Sequence, residues 1–84
     1  MIVRHSQAPY FWGMKKEDEF LKRVGNNIRT IRMKRGLNSE ILAAKLVIPV
    51  LGFQRIEQGI VEPTLIDLYD IANVLEVEPY QLLK

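Results

Sequence analysis

From Phe20 onward the apolar positions recur at helical spacing. Phe20, Leu21, Val24, Ile28 and Ile31 follow one another at intervals of one, three and four, with Arg32 next to the last of them. This period predicts a first helix from Glu17 to Arg35, stopped by Gly36. Asn38 has the side chain of a helix cap, and behind it Ile41, Leu42 and Leu46 share one face until Val47, Ile48 and Pro49 break the pattern, so the second helix is short. A third spans Val50 to Gln58 with Phe53 and Ile56 inward, and Gly59 stands where a helix end takes a left-handed residue. Thr64 and Asp67 have the spacing of an N-cap and an acidic third residue, opening a fourth helix that turns Leu65, Leu68, Ile71, Ala72 and Leu75 inward. Pro79 suits the first turn of a fifth, ending at Leu83. No alternation of the kind strands require competes with these periods, and no internal repeat or low-complexity segment interrupts them. The expected fold is therefore all-α, with five helices.

Residues 1–13 break this pattern. Pro9, Tyr10, Phe11, Trp12 and Gly13 form a short aromatic patch without helical period, so the chain divides into an N-terminal aromatic tail, 1–13, and a helical domain, 14–84. Exposed aromatics bury themselves or mark an interface, and Tyr10, Phe11 and Trp12 are expected to dock on an apolar surface, either the domain's own first and fifth helices or those of a second subunit. A length of 84 residues with 48% apolar content suits one small core. Cores of this size usually need a staple. There is no cysteine and a single histidine, His5, which leaves helix packing or dimerisation. The same poverty excludes the usual catalytic and metal-binding constellations: no Gly-rich phosphate loop and no nucleophile with its base is present, so neither an enzyme nor a cofactor is expected. No apolar run is long enough for a membrane span and the start does not read as a secretory signal, so the expected location is cytoplasmic.

The net charge of +2 is uninformative, but its distribution is not. Residues 1–45 carry ten Lys/Arg against four Asp/Glu, whereas residues 46–84 carry two against six. Charges on amphipathic helices ordinarily make solvated faces; an asymmetry of this size adds a weak indication of an anionic partner for one face.

Most of the information lies between Leu37 and Gly59. Two short helices joined by a tight turn must cross closely, which demands small and apolar residues at fixed offsets. Leu42, Leu46, Ile48, Phe53 and Ile56 fill the apolar offsets and Ala43 is the small residue. This segment resembles the Cro and phage-repressor (Xre-like) type of helix-turn-helix. The likeness runs from about Val24 to Leu83 through "IRTIRMKRGLNSEILAAKL", "RIEQG", "PTLIDLYDIANVLEV" and "PYQLL", in the family's order and at its spacing. The resemblance implies a five-helix phage-repressor-like domain in which Arg32 and Glu57 form a partly buried ion pair between the first helix and the third. It implies a homodimer that reads double-stranded DNA, with the third helix in the major groove and the second across the backbone. By matching position, Val50, Leu51 and Arg55 face bases, Gln54 and Gln58 flank them, Asn38 and Ser39 offer backbone N–H groups to a phosphate, and Lys45 meets a phosphate. Arg55 is the foremost candidate, because its planar fork can take guanine O6 and N7 together.

Four departures from the family's pattern fall on or near that surface. Ser39 occupies the position usually held by glutamine. Val47 stands where glycine is common; a positive φ is costly for a β-branched residue, so a turn of different shape is expected. The third helix begins Pro49-Val50-Leu51-Gly52, which offers apolar contacts and no bidentate hydrogen bonding. Ile60, Val61 and Glu62 follow it, where relatives often carry lysine or arginine. A surface this apolar also suits a protein partner. The sequence therefore supports two functions on one scaffold: a sequence-specific transcriptional regulator, or an antitoxin-like or regulatory protein-interaction module.

Overall fold

The computed structural model describes residues 16–84; the aromatic tail and the boundary at Met14 lie outside the described residues. Four α-helices follow in order: α1 (Lys16–Lys34), α2 (Ser39–Leu46), α3 (Val50–Glu57) and α4 (Leu65–Leu75). The expected fifth helix is instead one 3-10 turn, Pro79–Leu82. Its buried anchor, Leu82, has its carbonyl held by the Asn27 amide of α1 at 3.0 Å. A segment this short closes in the tighter i→i+3 form, seen in Gln81 N–H donating to Glu78 O at 2.9 Å and Leu83 N–H to Tyr80 O at 3.0 Å.

Local chemistry accounts for the helix ends. Glu17, Asp18 and Glu19 open α1 and Arg32 and Lys34 close it, which complements the helix dipole at both termini. Asn38 Oδ1 accepts from Ile41 N–H at 2.8 Å to cap α2. Thr64 and Asp67 make a reciprocal box at the start of α4: Thr64 Oγ1 accepts from Asp67 N–H, and Asp67 Oδ2 accepts from Thr64 N–H.

The core is made by Val24 and Ile28 of α1, Leu42 and Ala43 of α2, Phe53 and Ile56 of α3, Ile71, Ala72 and Leu75 of α4, and Leu82. Helix α1 lies across α3, α2 packs against α3 and α4, and the 3-10 turn closes on α1 and α4. Three residues expected inward are exposed: Phe20, Ile41 and Leu65. Each sits near the N-terminal end of its helix. At 1.5 Å per residue α1 is about 28 Å long, so its first turns overhang the core; α2 and α4 reach the core one residue and three residues further on, at Leu42 and Leu68.

The turn between α2 and α3 also departs from expectation. Val47 adopts the left-handed conformation (φ 58°, ψ 46°) rather than avoiding it. Ile48 N–H donates to Ala43 O and Val47 N–H to Ala44 O, both at 3.1 Å, which is the pairing of a Schellman helix end. Ile48, the following residue, packs on the core. Seating Ile48 and delivering α3 across α2 outweighs the local strain of a left-handed valine, whose side chain stands in solvent. Glu76 ends α4 in the same way (φ 61°).

Candidate nucleic-acid interface

Helix α3 has two faces. Phe53 and Ile56 are buried, and Val50, Leu51, Gln54, Arg55 and Gln58 recur at intervals of one and three around the other side. Leu51, Arg55 and Gln58 are exposed, Gln54 is half-buried, and Val50 is partly buried against the core. A side chain at Val50 is therefore shared between packing and the outer face. Arg55 lies in the last turn of α3 and Lys45 in the last turn of α2, where each also complements the negative end of its helix dipole. At the start of α2, Ser39 is half-buried and the Asn38 carbonyl group of the side chain is engaged as the cap, leaving backbone N–H groups for an anion.

What orients α3 is an ion pair with α1. Arg32 Nε donates to Glu57 Oε2 at 2.6 Å and Nη2 to Glu57 Oε1 at 3.1 Å, a bidentate contact. The two side chains are only 11% and 8% exposed. Arg32 Nη1 also donates to Leu37 O at 2.8 Å, tying the α1–α2 loop into the same cluster. Glu57 is the last residue of α3, where a carboxylate opposes the helix dipole; the guanidinium compensates for it.

Two further residues set this geometry and were not singled out in the sequence. A Cβ at Gly25 would overlap the carbonyl oxygens of Ile56 and Glu57, so only glycine lets α1 cross the end of α3 this closely. A glycine inside an otherwise periodic helix, which costs about 1 kcal/mol relative to alanine, was the available signal. Asn27 is the other, holding Leu82 O and Lys84 O at 3.0 and 2.9 Å. Gly59 (φ 76°) closes the same junction, since a Cβ there would come within 2.8 Å of Lys22 Cα.

Around α3 the exposed surface is largely apolar: Val47 is 87% exposed, Ile60 66% and Leu51 53%, with Val61 beside them in sequence at 39%. Among the described residues no cluster of His, Cys, Asp or Glu could hold a metal ion, and no helix is long and apolar enough to cross a membrane.

Comparison with known proteins gives the same architecture. The family model described as Helix-turn-helix (HTH_3) matches residues 28–82. The restriction-modification controller protein C.AhdI from Aeromonas hydrophila superposes with a TM-score of 0.71 at 27% identity, over 74% of this chain and 94% of that one. The DNA-binding domain of BldD gives 0.72 at 25% identity, over 84% of this chain and all of that one. A hypothetical transcription factor from Neisseria, NHTF, shares the fold with a TM-score of 0.75 at 24% identity, over 84% and 82% of the two chains. Among curated protein sequences none matches. With most of its length matched by the family model, and with two short helices crossing at a tight turn under a bidentate Arg32–Glu57 clamp, the chain belongs to the Xre/Cro-like HTH_3 family of helix-turn-helix transcription regulators.

Proposed function

We propose that the chain is a sequence-specific DNA-binding transcriptional regulator that places α3 in the major groove and works as a homodimer. The observation that carries this reading is the outer stripe of α3, with Arg55 exposed on a helix that α1 clamps through Glu57. BldD's matched portion is a DNA-binding domain and C.AhdI a controller protein, and the HTH_3 match covers the same helices. In this pose Arg55, Leu51 and Val50 face base edges, Gln54 and Gln58 flank them, and Lys45 with the N-terminus of α2 at Asn38 and Ser39 meets phosphates. With Val50 and Leu51 apolar, part of the readout falls to thymine methyl groups. For the dimer, α4 and the 3-10 turn packed on it expose Ile66, Tyr69 and Tyr80, a face a second copy can cover.

The test separates the two kinds of contact. Arg55→Ala is expected to lose about 1–3 kcal/mol on a selected site and to relax preference at one base pair. Lys45→Ala should weaken binding to all sequences alike and make the salt slope shallower by about one. A random-sequence selection at low salt that enriches no motif would overturn the reading. The exposed apolar set Val47, Leu51, Ile60 and Val61 favours one alternative, a protein-interaction module on the same scaffold. Under it, substitution at Leu51 and Ile60 would abolish partner binding while Arg55→Ala had no effect.

A further inference from the structure

One apolar groove lies away from the surface proposed for DNA. It holds about 470 Å³ and runs between the first turns of α1 and the loop leading into α4, floored by Phe20, Leu21, Val24, Pro63 and Leu68. Glu17, Asp18 and Glu62 stand along it. Phe20 and Leu65, which also lines it, are two of the three residues whose exposure contradicts the inward pattern of their helices. We propose that the occupant of this groove is the chain's own N-terminal segment, with Tyr10, Phe11 and Trp12 seated on the apolar floor.

Three observations point to this segment. The first is where the described chain starts: α1 begins at Lys16, one residue before Glu17 on the groove wall. The second is reach. From Trp12 to Lys16 four residues span at most about 14 Å, and the groove extends along α1 from Glu17 to Val24, about 10.5 Å at 1.5 Å per residue. Trp12 therefore reaches either end and Phe11 and Tyr10 follow within the same length. The third is chemical match. The groove is lined mainly by apolar side chains, and Tyr10, Phe11 and Trp12 put three aromatic rings in consecutive positions. The aromatic rings supply large apolar area to a floor that water otherwise covers. This proposal is independent of DNA binding, because the groove shares no residue with the outer stripe of α3.

Trp12 is the only tryptophan, so its fluorescence reports the segment alone. In the full chain its emission is expected to be blue-shifted, and its quenching by acrylamide several-fold slower, relative to a peptide of residues 1–16. Leu65→Glu and Phe20→Ala should each move emission and quenching toward the peptide values while circular dichroism stays helical. Leu65 is 82% exposed and occupies the first turn of α4, where a carboxylate is favourable, so this variant retains the fold. Peptide-like emission in the unaltered chain, or protection unchanged in both variants, would overturn the proposal. So would protection lost on dilution in step with dimer dissociation measured by sedimentation, since that assigns the segment to a second copy; protection kept in the monomer supports it.

Discussion

At the scale of single residues the α2–α3 turn shows a local preference losing to packing. Val47 lies in the left-handed region with its side chain 87% exposed, so its own contacts contribute little to offset the strain. Left-handed backbone costs an L-residue about 1–2 kcal/mol, and glycine at the same place recovers most of this while adding some unfolded-state entropy. Val47→Gly is expected to stabilise the domain by about 1 kcal/mol, read as a higher urea midpoint at unchanged slope. Gly25 gives the opposite sign. Alanine there gains about 1 kcal/mol of helix propensity, but its methyl meets the backbone carbonyls of Ile56 and Glu57, which cannot swing aside as a side chain can. Overpacking of about 1–3 kcal/mol or more wins, so Gly25→Ala should lower the midpoint, and a higher one would show that α1 and α3 can separate without loss.

Between elements the governing contact is the Arg32–Glu57 clamp. Desolvation offsets much of its Coulomb attraction, so its worth as a source of stability is modest, whereas removing one partner strands the other charge and costs about 3–5 kcal/mol. Arg32→Met should show a loss of that order in denaturant unfolding, and Arg32→Met with Glu57→Leu should recover a large part of it. If the double variant were as unstable as the single one, the bond from Arg32 to Leu37 O would be the dominant contribution instead. The clamp also links stability to the proposed function: it fixes α3 to α1 at one end, so the double variant, even when stable, is expected to bind a selected DNA site less tightly than the native chain.

At the scale of the whole molecule the core is small: among the described residues ten apolar side chains are buried. Small domains gain from association, and α4 presents Ile66, 67% exposed, and Tyr69 on a helix whose other face is already committed to Ile71, Ala72 and Leu75. Ile66→Glu is expected to convert a dimer to a monomer in sedimentation without loss of helical content. A native chain that is monomeric well above micromolar concentration without DNA would count against the dimer.

Much of this architecture is legible in the sequence because its signals are local. The Asn38 and Thr64 caps, the Gly36 and Gly59 stops and the periodic apolar stripes act over a few residues, and they place all four α-helices within about a residue of their observed ends. The family resemblance, read from four ordered segments, is the membership that the family model shows. What the chain alone does not settle is everything that depends on where helices cross. Phe20, Ile41 and Leu65 belong to apolar stripes yet remain exposed, because a stripe says which face is apolar and not how much of it a neighbour covers. The left-handed Val47 was legible as a conflict but not in its resolution, since that depends on seating Ile48 in a core built mostly by distant residues. Gly25 acquires its meaning only where it meets the carbonyls of α3, some thirty residues further on. Local hydrogen bonding and periodicity are properties of adjacent residues and so are written in the sequence, whereas burial and close approach are properties of pairs of elements and exist only once the chain has packed.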